Sequence, residues 1–189
     1  MQHAALSGGF SQAPQQSARA FRAAMNAMAR PGTIQMVEGA TPPAPMSVAA
    51  GVLALTLLDA ETPVYLAGAL DCAAVRDWIT FHTGAPFARH EFCAFAIGSW
   101  DDLLPLQGYR IGTSEYPDRS ATLIVEMPEL TASGTTLRGP GIAETAALNL
   151  PDPALMARNA ALFPLGLDFF LTHGDALAAL PRSTKPEVA

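Results

Sequence analysis

Residues 112–127 read GTSEYPDRSATLIVEM, in which a dense polar loop runs directly into an apolar segment. The second half, ATLIVEM, has the aliphatic and β-branched residues of a core strand. The first half places hydroxyl groups and the guanidinium of Arg119 close to Ser120. Three interpretations of the loop follow: a turn that leads into the strand, a site that binds an anion, or a loop that activates Ser120 as a nucleophile.

The overall composition is that of a folded domain. Of the 189 residues, 50% are hydrophobic and 15% are charged, which argues against a disordered chain. The length suits one domain with a sizeable core. The formal net charge of −6 argues against a general affinity for nucleic acid or for anionic membranes. Ten of the 11 basic residues are arginines, whose planar fork suits carboxylate and phosphate groups.

Cysteine usage and the N-terminal segment predict a cytoplasmic protein. Cys72 and Cys93 are too few for a disulfide framework, so both are expected to be reduced. No run approaches the roughly 18 apolar residues of a membrane span. The first residues, MQHAALSGGFSQAPQQ, lack the basic and apolar pattern of a signal peptide. We expect residues 1–16 to form a flexible segment and residues 17–189 to form one domain.

The first half of the chain alternates helical and strand patterns. Phe21, Met25 and Met28 recur at helical spacing before a Pro-Gly pair ends the helix, and a short strand, TIQMVE, follows. Ser47 is suited to cap a second helix through VAAGVLALTLL, and Asp71 a third helix through CAAVRDWITFH. TPVYLA and EFCAFAIG predict strands, and the second is apolar enough to be covered on both faces.

The second half is richer in strands. Ser99 is expected to start a short helix, SWDDLL. ATLIVEM and GTTLRGPGI are extended runs joined by a loop with a Ser-Gly pair, which predicts a β-hairpin. Asp152 and Pro153 indicate a further helix start, and LGLDFFLTH and ALAALP flank a Gly-Asp turn. The order of elements predicts an α/β fold: a single domain with a mixed sheet and helices on both faces.

Ser120 departs from the pattern of a serine nucleophile. The strained elbow that presents such a serine reads Gly-x-Ser-x-Gly before a helix, whereas Ser120 stands between Arg119 and Ala121 before a strand. Its base would have to come from a distant residue such as His82 or His173. The nucleophile interpretation is therefore the least favoured of the three.

The same loop is better suited to an anion. Thr113, Ser114, Arg119 and Ser120 place hydrogen-bond donors within eight residues. Asp118 reduces the positive charge of this group and is close enough in sequence to pair with Arg119. A structural turn and a ligand-binding loop both stay open at this point.

Other kinds of site find little support. LRGPGI, residues 137–142, lacks the lysine of a phosphate-binding loop and the helix start that follows one, so a bend in a strand is expected. The four histidines are scattered without metal-ligand spacing, and His82 suits a helix end, so we expect no metal site. Pyridoxal phosphate needs a lysine for its Schiff base, and the only lysine, Lys185, lies close to the C-terminus. We expect no cofactor.

Several segments, in order along the chain, resemble one known family. They are FRAAMNAMARPG at 21–32, LTLLDAETPV at 55–64, FHTGAP at 81–86, GTSEYPDRSATLIV at 112–125, LRGPGI at 137–142, LFPLGLD at 162–168 and LPRST at 180–184. By these segments the chain resembles the H subunits of the bacterial carbon–phosphorus lyase system, the PhnH family of phosphonate metabolism proteins. The resemblance extends from about residue 17 to the C-terminus, and the order and spacing of the segments carry it.

The resemblance implies both a fold and a role. The fold is a three-layer α/β/α domain with a mixed sheet, similar to pyridoxal-phosphate-dependent transferases but without a pyridoxal site. The role is that of a subunit, a homodimer when isolated, that joins the G, I and J subunits in a larger complex. With the G, I and L subunits, such a protein supports formation of alpha-D-ribose 1-methylphosphonate 5-triphosphate from ATP and alkylphosphonate. Cleavage of the carbon–phosphorus bond belongs to the J subunit, with its iron–sulfur cluster and S-adenosylmethionine.

The resemblance brings no established catalytic residues, so the candidate site residues come from chemistry alone. ATP and phosphonate are anionic and suit arginines that stand beside glycine, serine or threonine. The candidates for an anion-binding site are Arg119, Ser120, Arg138 and Arg182. We expect a non-catalytic or co-catalytic subunit. The alternatives are a free-standing hydrolase or nucleotide transferase and a phosphonate-binding regulatory domain.

Overall fold

Five α-helices, three short 3-10 helices and two β-sheets form the regular structure of residues 7–188, the part of the chain that the structure, a computed structural model, describes. The α-helices are α1 (Ala13–Ala29), α2 (Val48–Leu57), α3 (Ala73–Thr83), α4 (Trp100–Leu103) and α5 (Pro153–Ala160). The strands are β1 (Gln35–Met36), β2 (Val64–Leu66), β3 (Phe95–Ser99), β4 (Thr122–Glu126), β5 (Thr135–Arg138), β6 (Ala146–Leu148), β7 (Asp168–His173), β8 (Ala176–Leu180) and β9 (Lys185–Pro186).

The larger sheet has six strands in the order β1-β8-β7-β4-β3-β2. Strands β2, β3, β4 and β7 run parallel to one another, and β8 and β1 continue the sheet in antiparallel pairing. The smaller sheet, β6-β5-β9, is antiparallel throughout. The mixed-sheet α/β fold expected from the sequence is therefore confirmed.

Alternating side chains of the large sheet build a core on each of its faces. In β4, Leu123 and Val125 belong to one core and Ile124 to the other, because successive strand residues point to opposite faces. Helices α1, α2 and α3 cover the core that contains Trp78. The core around Phe169 is covered by α4, α5 and the small sheet, so this outer layer mixes helices with strands.

The predicted helix starts at Ser47, Ser99 and Asp152 are confirmed. Each of these side chains accepts a hydrogen bond from the backbone N–H three residues further on, at 2.8–3.3 Å. Such a bond satisfies one of the N–H groups that a helix start leaves without a partner. At the other end of α3, Gly84 adopts the left-handed conformation, with φ of 69°, and ends the helix as expected.

The predicted cap at Asp71 is wrong. Helix α3 begins one residue later than expected, and Cys72 occupies the N-cap position without a side-chain capping bond. The Asp71 carboxylate instead forms an ion pair with Arg76 in the first turn of α3. This pairing lowers the pKa of Asp71, chiefly through the hydrogen bond from Arg76.

The predicted hairpin between ATLIVEM and GTTLRGPGI is also wrong. Strand β4 lies between β3 and β7 and pairs in parallel with both, so neither of its edges is open to the strand that follows it in sequence. Strand β5 joins β6 and β9 in the small sheet instead. The bend expected in LRGPGI is present, since β5 ends at Arg138 and the chain turns at Gly139 and Gly141, both at positive φ.

The segment 1–16, expected to be flexible, lies partly outside the described residues, because the description begins at residue 7. Helix α1 already begins at Ala13. Ahead of it, the carbonyl of Ser7 accepts a hydrogen bond from Trp78 Nε1 at 3.0 Å, and that of Gly8 accepts one from Thr41 N at 2.7 Å. Residues 7 and 8 are thus bonded to the body of the fold.

We expect Gly141→Ala to destabilise the protein by about 2 kcal/mol or more. Gly141 has φ of 82°, and a Cβ there would overlap the carbonyl oxygen of Ala29. Gly174 is the matched control, since it also has positive φ, 57°, but a Cβ would meet no atom within 4 Å. Gly174→Ala should cost about 1 kcal/mol, the strain of the left-handed conformation alone. Urea unfolding of both variants measures the difference, and equal losses would contradict this account.

Candidate functional site

Arg182 connects the polar loop to the large sheet. Its guanidinium forms a two-pronged ion pair with Asp168, the first residue of β7, through Nε at 3.1 Å and through Nη2. The same guanidinium donates to the carbonyl of Pro117 at 2.6 Å and to the hydroxyl of Ser120. The backbone N–H of Arg182 adds a bond to Asp168 at 2.8 Å. The Arg182 side chain therefore joins its own segment to Pro117, which lies 65 residues earlier in the sequence.

These bonds leave Arg182 little capacity for an external anion. Four of the five N–H groups of its guanidinium have partners inside the protein. The side chains of Arg182 and Asp168 are only 13% and 21% exposed, and the carboxylate neutralises the charge. The geometry is that of a partly buried ion pair that fixes a loop.

The polar loop also closes on itself. Thr113 N donates to the carbonyl of Tyr116 at 3.1 Å, and Tyr116 N donates to Thr113 Oγ1 at 3.0 Å. Gly112, with φ of 84°, allows the chain to approach Pro117 closely. The beginning of the loop is therefore a bonded turn, in agreement with the structural interpretation of the sequence.

Arg119 is the candidate whose charge stays available. Its guanidinium carbon lies 4.0 Å from the centre of the Tyr116 ring, a cation–π contact at the surface. Within residues 7–188 the Arg119 side chain forms no ion pair, with Asp118 or with any other carboxylate. Arg119 is therefore able to accept an anion from outside the chain.

The four candidate residues are not brought to one place. Ser120 and Arg182 are in direct contact, and Arg119 is next to Ser120 in sequence. Arg138 lies on β5 of the small sheet, where it forms an ion pair with Glu187 and donates to the carbonyl of Glu144 at 3.3 Å. The structure thus joins two of the candidates through an internal bond and assigns Arg138 to a separate surface pair.

The two histidines considered as bases for Ser120 have partners elsewhere. His82 lies in the last turn of α3, where its Nε2 is 3.2 Å from the carbonyl of Ser7. His173 ends β7, and its Nδ1 is 3.0 Å from the carbonyl of Met127. Ser120 lies instead just before the start of β4, and its hydroxyl accepts a bond from Arg182. This arrangement lacks the serine–base contact that nucleophilic catalysis requires.

The opposite edge of the parallel strands is acidic. Sheets of this kind usually bind ligands at the carboxyl ends of their strands. Here Glu126 ends β4 and accepts hydrogen bonds from Ser47 N at 2.8 Å and from Thr172 Oγ1 at 3.0 Å. Asp102 follows β3 and accepts a bond from Ser99 Oγ at 2.6 Å. These carboxylates disfavour an anionic ligand at this edge.

An apolar groove is the feature that sequence reasoning missed. A cavity of about 440 Å³ opens between α5 and the segment after α4. Its lining residues are Leu106, Gln107, Tyr109, Ile111, Leu155, Arg158, Asn159, Leu162 and Leu167. They come from segments that no single motif connects, so periodicity alone does not identify them. Asp168 was missed as well, although a carboxylate inside the apolar run LGLDFF signals a buried partner.

Two titratable groups near this groove are held in their neutral forms. Burial raises the pKa of the Cys93 thiol to about 11, and it raises the pKa of Tyr109 even further. Both cysteines are free thiols, as the sequence predicted. Cys93 is fully buried and is bonded to the carbonyl of His90 at 3.3 Å, which makes it a structural thiol.

Residues 7–188 contain neither a cluster of metal ligands nor a membrane-crossing helix. In that range no three His, Cys, Asp or Glu side chains are grouped so that they could hold a metal ion. None of the helices there has both the length and the apolar character that crossing a membrane requires.

The comparisons with known proteins agree on one family. Residues 8–187 match the family described as "Bacterial phosphonate metabolism protein (PhnH)". A protein of Rhizobium meliloti (strain 1021), "Alpha-D-ribose 1-methylphosphonate 5-triphosphate synthase subunit PhnH", is 41% identical over 193 residues, 96% of this chain and 95% of its own. The "Putative C-P lyase subunit protein HtxG" of Stutzerimonas stutzeri is 32% identical over 181 residues, 92% of this chain and 86% of its own. The resemblance drawn from the sequence segments is thereby confirmed.

We expect Arg182→Ala to cost about 3 kcal/mol of the free energy of unfolding, because it leaves the Asp168 carboxylate partly buried without its counter-charge. Arg182→Lys should recover part of this loss, since an ammonium keeps the charge but not the fork. Arg138→Ala is the matched control, because its pair with Glu187 is 57% and 48% exposed, and it should change stability by only about 0.5 kcal/mol. Chemical denaturation measures all three. Wild-type stability of Arg182→Ala would show that Arg182 does not fix the loop.

Proposed function

Since the chain belongs to the PhnH family of bacterial phosphonate metabolism proteins, we propose that it is a subunit of the carbon–phosphorus lyase complex. In this role it supports formation of alpha-D-ribose 1-methylphosphonate 5-triphosphate from ATP and alkylphosphonate, together with the other subunits. The observation that carries the proposal is the 41% identity to a synthase subunit over 96% of the chain. Both relatives described above are named as subunits, so the other subunits of such a complex are the expected partners.

A subunit that is non-catalytic or at most co-catalytic fits the geometry better than a free-standing enzyme. The hydroxyl of Ser120 is bonded to Arg182 rather than to a base. His82 and His173 are bonded to backbone carbonyls of other segments. The polar groups that sequence reasoning offered for chemistry thus serve mainly to hold the fold together.

The finer part of the proposal concerns partners and location. We propose that the chain joins the G, I and J subunits, forms a homodimer when isolated, works in the cytoplasm and brings no cofactor of its own. Large apolar side chains at the surface support association with other chains. Those more than half exposed are Phe21, Met25, Met36, Phe81, Phe92, Phe163 and Val188.

Purified chain incubated with ATP and methylphosphonate should form no ribose triphosphate ester by itself. Adding the chain to the remaining subunits, prepared without their H subunit, should restore product formation, because the proposed role is exercised only in the complex. Phosphorus NMR of the reaction mixture measures the product. Turnover by the isolated chain would overturn the subunit proposal in favour of a free-standing enzyme, and tight binding of methylphosphonate by the isolated chain would favour a regulatory domain.

An anion contact at the polar loop stays a prediction, and Arg119 is its best test. The other three candidates, Ser120, Arg138 and Arg182, have internal partners, whereas Arg119 keeps its charge available. We expect Arg119→Ala to slow growth on methylphosphonate as the sole phosphorus source at least severalfold, with Arg138→Ala close to wild type. Full growth of Arg119→Ala with normal assembly of the complex would exclude an anion contact by this residue.

A further inference from the structure

Helix α1 turns an apolar pair toward solvent. Its inner side is made of Ala20, Ala24 and Ala27, which are at most 5% exposed and pack against the neighbouring core. Phe21 and Met25, one helical turn apart, are 51% and 52% exposed. The sequence pattern alone would place these two larger residues inward, because they carry most of the apolar surface of the helix. Small inner residues therefore anchor the helix and leave its large apolar side chains available for a contact.

Charge distinguishes this helix from the rest of the protein. Residues 1–37 contain Arg19, Arg22 and Arg30 and no aspartate or glutamate. Residues 38–189 contain the other eight Lys and Arg and all 17 Asp and Glu, a formal charge of −9. The exposed apolar pair and Arg22 thus lie in a basic segment of an otherwise acidic chain, while Arg19, on the same helix, lines a pocket together with Glu38 and Asp175.

The arginines of α1, and Arg30 at its C-cap, differ from other arginines of the fold in their ion pairing. Within residues 7–188, the side chains of Arg19, Arg22 and Arg30 form no ion pair, in contrast to Arg76 and Arg182, which are paired with carboxylates. Arg22 also lies on the same outward side as the apolar pair, one position from Phe21 and three from Met25. Apolar anchors beside an unpaired arginine are typical of the centre and rim of a protein interface.

We propose that Phe21, Arg22 and Met25, the outer face of α1, dock this chain onto another protein subunit of the phosphonate-processing complex. The complementary surface is an apolar groove rimmed by carboxylates, which receives the helix through anchors at i and i+4. Charge complementarity defines the partner, since a basic helix on an acidic protein selects an acidic surface. This inference rests on the proposed function, because it assigns one contact within the complex.

Neither a second copy nor a membrane is the occupant. A symmetric contact between two α1 helices would bring the arginines of both copies together, and like charges at an interface disfavour association. An anionic lipid surface would repel the rest of the chain, whose formal charge outside residues 1–37 is −9. A carboxylate-rimmed protein groove meets neither obstacle.

The test is co-purification of the full-length tagged chain with the other subunits, co-expressed in cells that lack the native protein. Arg22→Glu and the double variant Phe21→Ala/Met25→Ala should each weaken association at least about tenfold, measured as the concentration for half-maximal binding. Arg89→Glu reverses an exposed arginine elsewhere, and Leu104→Ala truncates an apolar side chain that is 39% exposed, so these controls should bind as wild type. Raising the salt concentration should weaken the wild type more than Arg22→Glu.

The outcomes separate this inference from the proposed function. Wild-type binding by both α1 variants would overturn the role of α1 and leave the chain a subunit that docks elsewhere. Failure of the unaltered chain to co-purify would overturn the subunit proposal and the docking surface with it. Conversion of a dimer to a monomer by the α1 variants, seen by sedimentation, would make a second copy the occupant. Binding to phosphatidylglycerol vesicles that the variants abolish would make a membrane the occupant. Thermal unfolding at the wild-type temperature shows that each variant is folded.

Discussion

The contact between the Arg182 guanidinium and the Asp168 carboxylate orders one whole end of the large sheet. Asp168 begins β7, Arg182 follows β8, and the same guanidinium holds the carbonyl of Pro117 and the hydroxyl of Ser120 in front of β4. A partly buried carboxylate and a partly buried guanidinium are each costly alone and acceptable together. The polar loop is therefore shaped by a partner about 60 residues away in sequence, and most of the hydrogen-bonding capacity of the Arg182 guanidinium is used inside the protein.

Small residues decide how the layers of the fold come together. Helix α1 contacts the core through alanines, and α2 is buried along Ala49, Ala50 and Gly51. Close approach of backbones buries little side-chain surface per residue but leaves larger side chains free to face outward. This is why the apolar half of the composition does not all end in the core, and why surfaces suited to other subunits remain. The family relationship and the exposed apolar residues thus point to the same role, that of a subunit in a larger assembly.

Local patterns predicted the elements well and their pairing poorly. Ser47, Ser99 and Asp152 were identified as helix starts because a cap depends on a residue and the three that follow it. The hairpin after ATLIVEM was wrong because the parallel neighbours of β4 come from distant parts of the chain and fill both of its edges. For the candidate site, the sequence located a donor-rich loop and Arg182. Asp168, inside an apolar run, signalled a buried partner, but the sequence did not show that this partner is Arg182. Asp71 shows the same limit on a smaller scale, since its carboxylate preferred Arg76 to the helix start.

By itself the sequence determined the class of fold and the family, because these depend on composition, on short-range periodicity and on the order of segments. Only the tertiary structure decided which arginines pair with carboxylates of the same chain and which keep their charge available for an external ligand or partner. Arg182 and Arg138 find carboxylates that lie 14 and 49 residues away, whereas Arg119 and Arg22 find none among residues 7–188. An ion pair depends on distances of a few ångströms in space. Sequence separation does not specify those distances, because they follow from the order in which the strands pair.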